Sequence, residues 1–465
     1  MKYAAHWKIL LSLNGVSRFK EVAIIVFSAF FLHLSLWRPY SFFLCVFLWL
    51  VFLFHLVLKK KNTSFARGFF WGIIFYSFHI FPVLLFILKQ GYGEGRFLFS
   101  VFLIIYCSLH SGAWFFLADK TSRFLGSSVA SRVVAWNLWT CVFILWVPQG
   151  LLWISGQYIG YPFSFPLLAI AHYPKMLWLL STLGREGYIF SLVSLQMAIA
   201  IFLRSKKKFF FFIIILFALP FFFGFFCLDS CEQVPEDIKN FGHVSGSDLK
   251  HPMDAAQDIY SKMERLVEMH PKITHIVMPE LSYRFSLNKQ KHVLTMWNNN
   301  ILHDKIQLII GSSRKEGSEI YNSLYWIQGE KIKRVYDKQI LVPFVEYIPK
   351  WLAVFPNLKN LFLKTSKVFC RGNNQRVSLQ LVDKLFFEPQ ICADIFLKKQ
   401  ALSDNSFLLL TFNDVIFSRL YNQLLYRFLI IMAIEQKKLL LTVGFESATV
   451  ISSSGTISNL LSSIC

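Results

Sequence analysis

The spacing of hydrophobic residues divides the chain into two halves of different character. Up to about residue 227 the sequence is built from apolar blocks close to the roughly 20 residues that a helix needs to cross a bilayer. Seven candidate spans can be delimited, at about 22–37, 40–58, 69–88, 97–117, 132–154, 187–203 and 209–227. The pattern therefore predicts a multi-span α-helical membrane bundle over residues 1–227.

The second half has the pattern of an ordinary α/β domain. From about residue 238, short apolar strands alternate with amphipathic helices, which is typical of a layered α/β fold. The predicted elements include helices at 254–270, 289–304 and 419–437, and strands at 273–278, 307–311, 321–327, 332–336, 385–387 and 407–412. Residues 228–465 are therefore predicted to form a separate α/β domain.

The charge of the chain indicates a membrane topology rather than a nucleic-acid partner. The net charge is +21, but many of the Lys and Arg residues lie in short loops between apolar blocks, and no nucleic-acid motif appears. The N-terminal flank and alternate loops, such as 59–61 and 204–208, carry most of this charge. The positive-inside rule then predicts a cytoplasmic N-terminus, and an odd number of spans places everything after residue 227 outside the cytoplasm.

The loop at 155–186 is long and rich in Gly, Pro and aromatic residues. One interpretation is an aromatic belt at the membrane interface, where such residues are enriched. The alternative is a lid, or a wall for lipid entry, beside an active site.

Three chemically reactive residues follow predicted strands, where α/β folds place their sites. They are Glu280, Lys338 and Cys392. Each alone has an ordinary explanation, since a Glu or Lys after a strand is usually a surface residue and a lone Cys is usually inert.

The residues around them resemble the nitrilase superfamily and, within it, the apolipoprotein N-acyltransferases. The segment 336–349, YDKQILVPFVEYIP, is similar to the lysine motif of that family, and the segments 321–324, 412–414, 432–435 and 441–457 are similar to its neighbouring elements. The resemblance covers most of 270–457. It implies a nitrilase-like domain with the α-β-β-α sandwich fold after the membrane bundle.

The resemblance also implies a role for each reactive residue. Glu280 corresponds to the general base, Lys338 to the group that stabilises the tetrahedral intermediate, and Cys392 to the nucleophile. This agrees with the chemistry of a thiol, which needs an adjacent base and a nearby cation to react as thiolate. Glu346 corresponds to a supporting carboxylate, with an exposed loop glutamate as the alternative. Asp394 stands where the family has a Glu and is a second supporting residue.

The family's reaction takes a fatty acyl chain from a membrane phospholipid onto the cysteine and then passes it to the N-terminal amine of a diacylglyceryl-cysteine on an apolipoprotein. By this resemblance the partners are a phospholipid donor, a diacylated apolipoprotein and membrane lipid, with no nucleic acid. No cofactor and no metal are expected. The expected location is the bacterial inner membrane, with the second domain on the periplasmic side. The alternatives are a membrane-tethered amidase or acyltransferase with another acceptor, and an inactive scaffold that binds lipid or lipoprotein.

The sequence departs from the family's pattern at several positions. Ala393 replaces an aromatic residue after the cysteine, Val345 replaces a Gly in the lysine motif, and Met278 replaces a Trp. The opening strand of the family is not recognisable near 241–243, and the family's final C-terminal span is expected to be lacking after the catalytic domain. We expect these differences to affect rate and substrate preference more than the class of reaction.

Overall fold

The chain consists of two compact units. Of the described residues, the first unit contains those up to Phe226 except 94–96, and the second contains 94–96 and those from Pro235 onward. The computed structural model describes residues 15–59, 65–89, 94–126, 128–149, 162–226, 235–302, 306–342, 346–347, 368–373, 379–382, 385–396, 406–416, 419–459 and 462–464.

The first unit is helical, with a long helix at each of the seven predicted spans. They are α1 (Gly15–Trp37), α2 (Cys45–Lys59), α3 (Phe65–Lys89), α4 (Glu94–Phe124), α5 (Val129–Gln149), α6 (Leu180–Ser205) and α7 (Lys208–Phe222). Among the described residues, four segments are long and apolar enough to cross a membrane: Phe19–Trp37, Ser100–Phe124, Leu180–Ser205 and Lys208–Phe225. The protein is therefore a membrane protein. The apolar segments in α2, α3 and α5 are shorter, and the count of seven crossings stays a prediction.

Several polar side chains inside this unit form hydrogen bonds with one another. The Trp37 indole donates to Nδ1 of His79 at 2.8 Å, which leaves the ring proton of His79 on Nε2, 3.0 Å from the carbonyl oxygen of Phe163. Such pairing is required where no water is available to solvate a polar group.

Part of the described 162–186 stretch of this loop lies inside the first unit, whereas Lys175, Thr182, Leu183 and Glu186 are exposed. Residues 165–171 are buried, and the short helix Leu167–Ile170 has no exposed residue. The contact of His79 with Phe163 holds the start of this segment. Residues 165–171 are therefore not a free lid, and residues 155–161 lie outside the described residues. The aromatic belt and the wall for lipid entry stay predictions.

The second unit contains two β-sheets. The strands are β1 (Phe241–Val244), β2 (His275–Val277), β3 (Tyr283–Ser286), β4 (Gln307–Glu316), β5 (Glu319–Gln328), β6 (Lys331–Asp337), β7 (Leu379–Val382), β8 (Leu385–Ile391), β9 (Ser406–Thr411), β10 (Leu440–Val443), β11 (Ala448–Ile451), β12 (Ile457–Asn459) and β13 (Ser462–Ile464). The first sheet has the order β13-β1-β2-β4-β5-β6, with β3 also paired to β4, and the second has the order β12-β11-β10-β9-β8-β7. Strands β1, β2 and β4 run parallel, as do β8, β9 and β10.

The sheets face each other across one hydrophobic core. Side chains from both sheets meet there, including Val277, Ile309, Ile391 and Leu409. The outer face of the first sheet is covered by the helices α8 (Pro252–Met269) and α9 (Lys291–Trp297). The helix α10 (Arg419–Gln436) contacts the second sheet, whose outward-facing residues such as Leu408 and Leu410 are also buried. This is the predicted α-β-β-α sandwich.

The local sequence accounts for most element bounds. In α8, Pro252 occupies the first turn, and the apolar residues Ala255, Ile259, Met263 and Leu266 recur at helical spacing and are all buried. Strand β2 begins two residues later and ends one residue earlier than predicted. Pro279 and the turn around it limit only its C-terminal end. Strand β1 lies where the sequence had shown no recognisable family pattern.

Candidate active site

The ends of four strands bring the candidate residues together. Glu280 follows β2, Lys338 follows β6, Cys392 follows β8, and Asn413 follows β9. Because β2 and β6 belong to the first sheet and β8 and β9 to the second, the site forms where the two facing sheets end. The Nζ atom of Lys338 donates to Oε1 of Glu280 at 2.8 Å and to Oε1 of Glu346 at 2.9 Å.

The backbone of Glu280 is held by a close approach to Gly311. A Cβ atom at position 311 would lie 2.3 Å from the carbonyl oxygen of Pro279 and 2.7 Å from Cα of Glu280. The Ser282 hydroxyl also donates to the carbonyl oxygen of Gly311 at 3.0 Å, and Leu281 has a left-handed φ of 52°. Only glycine therefore lets the Glu280 turn sit this close to β4.

The side chain of Lys338 is buried, and the main chain of this residue is held on both sides by hydrogen bonds. Its main-chain N–H donates to the carbonyl oxygen of Asn322 at 2.8 Å, and its own carbonyl oxygen accepts from the N–H of Gly372 at 2.9 Å. Burial alone lowers the pKa of Lys338, but the carboxylates of Glu280 and Glu346 outweigh it and raise the pKa well above the ordinary value. Lys338 therefore stays a cation in the site.

Asn322 closes a ring of hydrogen bonds around these groups. Its Nδ2 donates to Oε1 of Glu280 at 2.7 Å and to Oε1 of Glu346 at 3.0 Å, the same two oxygens that accept from Lys338. Asn322 is fully buried on β5. Two donors thus hold two like-charged carboxylates side by side, where they would otherwise repel each other.

Glu346 is buried, so the alternative of an exposed loop glutamate is wrong. Its second oxygen, Oε2, accepts from the main-chain N–H of Val342 at 2.8 Å. The side chain therefore ties Lys338 and Asn322 to the segment of the lysine motif that follows β6.

Cys392 stands at the turn where β8 ends and a 3-10 helix, Cys392–Phe396, begins. Its φ of 47° lies in the left-handed region, which is unusual for a residue other than glycine and occurs preferentially at functional sites. The residue is partly exposed. Burial raises the pKa of its thiol, Glu280 raises it further, and Lys338 acts in the opposite direction without compensating. The resting group is thus a neutral thiol within electrostatic range of a carboxylate and an ammonium.

Asp394 fastens the Cys392 turn to the segment after Lys338. Its Oδ1 accepts from the main-chain N–H groups of Gln339 and Ile340, at 3.0 and 2.6 Å. Its Oδ2 accepts from the Tyr336 hydroxyl at 2.8 Å and from the N–H of Ile391 at 3.3 Å. The carboxylate is fully buried, so its place in the site is structural support between strands of the two sheets.

A second ion pair supports the strand that carries Lys338. Arg314 on β4 donates to both oxygens of Asp337, at 3.0 and 2.6 Å, and the Ser323 hydroxyl donates to the same carboxylate at 2.6 Å. The Arg314 guanidinium lies 4.4 Å from the centre of the Tyr321 ring. The residue before Lys338 is therefore fixed by two neighbouring strands.

The structure thus gathers all five residues singled out from the sequence, and it adds others that the sequence had shown only as motif context. Asn322, Tyr336 and Asn413 lie inside the motif segments, but no pattern marked their side chains as contacts of the site. The available signal was a polar residue at a buried strand position beside a reactive residue.

Comparisons with known proteins agree with the resemblance read from the motifs. No family model matches the chain. It is 28% identical over 164 residues to the apolipoprotein N-acyltransferase of Helicobacter pylori, and this match covers 34% of the chain and 37% of the relative. It is 27% identical over 177 residues to that of Borreliella burgdorferi, with 36% and 33% covered, and 33% identical over 106 residues to that of Wolinella succinogenes, with 23% and 25% covered.

The matched region thus spans about a third of the length of the first two relatives. Among solved structures, the chain is similar to a carbon-nitrogen hydrolase from Helicobacter pylori G27, with a TM-score of 0.34 and 13% identity over 47% of the chain and 82% of that protein. It is also similar to Nit3 of Saccharomyces cerevisiae, a member of branch 10 of the nitrilase superfamily, with a TM-score of 0.34 and 15% identity over 46% and 81%. The predicted similarity to apolipoprotein N-acyltransferases is confirmed by the sequence matches.

Proposed function

We propose that the protein transfers a fatty acyl chain from a membrane phospholipid, through a thioester on Cys392, to the N-terminal amine of a diacylglyceryl-cysteine on an apolipoprotein. The observation that carries this proposal is the buried contact of Lys338 with Glu280 and Glu346 at the strand ends that also present Cys392. The similarity to apolipoprotein N-acyltransferases supports the choice of substrates.

In the first step, Glu280 takes the proton of the neutral Cys392 thiol, and the sulfur attacks the ester carbonyl carbon of the phospholipid. A carbon–sulfur bond forms, the carbon–oxygen bond to the glycerol breaks, and the proton on Glu280 passes to the leaving alkoxide. Among the described residues, Lys338 uses two of its three N–H bonds on carboxylates, so one stays available to the oxyanion. The products are a thioester and a lysophospholipid.

In the second step, the amine of the acceptor attacks the thioester carbonyl. A carbon–nitrogen bond forms and the carbon–sulfur bond breaks. Glu280 takes a proton from the nitrogen and returns it to the Cys392 sulfur, which restores the starting enzyme. Such alternation of donor and acceptor is ping-pong chemistry, as expected of a covalent nucleophile.

The membrane unit supports substrates that are themselves lipids. A site on a chain with membrane-crossing helices meets its lipid substrates at a high effective concentration. We propose the inner membrane of a bacterium as the location, with a cytoplasmic N-terminus and the second unit on the periplasmic side, because the basic loops alternate in this sense.

An acyl-transfer assay tests the proposal. Phospholipid vesicles with a labelled acyl chain are mixed with the full-length protein and a synthetic diacylated lipopeptide that has a free N-terminal cysteine amine. The proposal predicts label on the peptide with the wild-type protein and none with Cys392→Ala. Release of free fatty acid alone, even with peptide in excess, would favour a membrane-tethered hydrolase or another acceptor. No consumption of phospholipid would favour a scaffold that binds lipid or lipoprotein.

A further inference from the structure

The two carboxylate oxygens of Glu280 have different surroundings. Oε1 accepts from Lys338 and from Asn322, at 2.8 and 2.7 Å, so both of its lone pairs are engaged. Oε2 accepts from the main-chain N–H of Asn413 at 3.2 Å. Among the described residues this is its one hydrogen bond, so Oε2 keeps a lone pair and is the oxygen that can accept a proton.

The side chain of Asn413 lies beside this open oxygen. Its main-chain N–H is the group that contacts Oε2, while its side-chain Oδ1 is buried and has no hydrogen-bond partner among the described residues. A buried amide oxygen without a donor is unfavourable unless a ligand supplies the donor.

The strand register places Asn413 near the nucleophile. Strands β8 and β9 are parallel neighbours, and Ile391 pairs with Thr411. Cys392 comes one residue after this pair and Asn413 two residues after it, at the same edge of the sheet. The unpaired oxygen therefore belongs to the part of the site where an acyl group on Cys392 would be attacked.

We propose that Asn413 Oδ1 and Glu280 Oε2 form a pair of acceptors for the attacking amine in the second step, an inference that rests on the proposed function. A neutral primary amine has two N–H bonds and one lone pair. One N–H donates to Glu280, which removes that proton and delivers it to the Cys392 sulfur as the carbon–sulfur bond breaks. The other N–H donates to Asn413 and stays on the nitrogen of the amide product, while the lone pair faces the thioester carbon.

The role proposed for Asn413 affects the two half-reactions differently. Formation of the thioester involves a thiol and an ester. Neither reacting group has an N–H bond, so no second acceptor is needed. Discharge to an amine builds positive charge on the nitrogen, where a hydrogen bond to an amide oxygen is strengthened. Asn413 is thus expected to act in the second step alone.

The test measures both half-reactions in the full-length protein with Asn413→Ala and with the near-isosteric Asn413→Leu. Both variants keep the main-chain N–H that contacts Glu280. Acyl adduct on Cys392 is followed by intact mass after mixing with vesicles of phosphatidylethanolamine and phosphatidylglycerol, and discharge is followed after adding the diacylated lipopeptide. We expect acylation within about twofold of the wild-type rate and discharge to the peptide slowed about tenfold or more.

Thr411→Val is the matched control, since the Thr411 hydroxyl is also buried and without a partner among the described residues. It is expected to leave both rates unchanged. Unchanged discharge in the Asn413 variants, or an equal loss in both steps, overturns the assignment and leaves the proposed function standing. If the wild-type protein forms no adduct, the proposed function fails and this assignment fails with it.

Discussion

The ammonium of Lys338 lies 2.8 Å from Oε1 of Glu280, and both side chains are almost completely buried. A buried ion pair of this kind costs desolvation of two charges, which is recovered only when the remaining hydrogen bonds are also made. Here Glu346 and Asn322 complete them. Such an arrangement is weak support for stability but is suited to holding a cation and a base in fixed positions.

Removal of Lys338 tests the role of this cation. Lys338→Met leaves Glu280 and Glu346 as two buried carboxylates without their counter-ion, so we expect a loss of about 3–5 kcal/mol in the free energy of unfolding. We also expect acyl-adduct formation to fall at least about a hundredfold, because the oxyanion loses its stabilising charge. Unfolding in detergent and the rate of adduct formation check the two effects. An active, stable variant would contradict the role of Lys338.

Asn322 is expected to act as a positioning residue. Asn322→Ala removes both hydrogen bonds that hold the carboxylates, so acylation should slow about tenfold or more while Lys338 and Cys392 remain. Asn322→Asp keeps the shape but adds a third negative charge and should slow the reaction further. Asn288→Ala is the control, since Asn288 makes its hydrogen bonds to Lys315 on the exposed part of β4. Equal rates in Asn322→Ala and the control would contradict this role.

The support given by Asp394 predicts a graded series. Tyr336→Phe removes one hydrogen bond to this carboxylate and should cost about 1 kcal/mol of unfolding free energy. Asp394→Ala leaves the buried N–H groups of Gln339 and Ile340 without acceptors and should cost roughly 2–4 kcal/mol. Denaturant unfolding measures both losses. If Asp394→Ala costs no more unfolding free energy than Tyr336→Phe, then Asp394 does not connect the Cys392 turn to the segment after Lys338.

The raised pKa of the Cys392 thiol predicts slow alkylation near neutral pH. Because burial and Glu280 both raise this pKa, iodoacetamide should modify native Cys392 more slowly at pH 8 than it modifies the unfolded chain. Glu280→Gln removes one of the negative charges, so the pKa of the thiol should fall and alkylation at pH 8 should accelerate, while acyl transfer is lost with the base. Peptide mass mapping after timed alkylation measures these rates, and unchanged alkylation in Glu280→Gln would contradict the coupling.

A further pH dependence follows from His243 on β1. Burial lowers its pKa from 6.5 to about 4, and its Nε2 donates to the carbonyl oxygen of Gly444 at 2.7 Å. Because the unfolded state binds the proton more tightly, stability is fully present above pH 6.5 and is lost as pH falls from 6.5 towards 4. Between pH 7.5 and 5 this contribution amounts to about 2 kcal/mol.

His243→Gln keeps a donor for Gly444 without the titration, so its unfolding free energy should fall by about 2 kcal/mol less than that of the wild-type protein over this range. The two proteins are compared only above pH 5, because burial raises the pKa of Asp414. Protonation of Asp414 at lower pH stabilises the folded state and so opposes the effect of His243. Parallel pH dependences of the two proteins would contradict the lowered pKa of His243.

The fold class could be predicted from the sequence, because hydrophobic periodicity depends only on residues that are close together in the chain. The apolar blocks predicted the helices α1 to α7, and the strands predicted at 321–327 and 332–336 lie within β5 and β6. Strand β1 was missed, since its four residues include Gly242 and His243 and are too few to show a pattern.

The reactive residues were identified through their motifs, but the contacts among them depend on how two sheets face each other. Neither the hydrogen bonds that Asn322 makes to both carboxylates nor the contact of the Asn413 N–H with Glu280 has a sequence signature. These pairs are separated by 24 to 133 residues, so only the tertiary structure brings them together.

The most direct test of the proposed chemistry is the intact mass of the full-length protein after incubation with phospholipid vesicles and no acceptor. We expect a mass increase equal to one acyl chain, located on Cys392, lost on treatment with hydroxylamine and absent in Cys392→Ala. A wild-type protein that remains folded and yet shows no such adduct, or carries it on another residue, would contradict the assignment of Cys392 as the nucleophile.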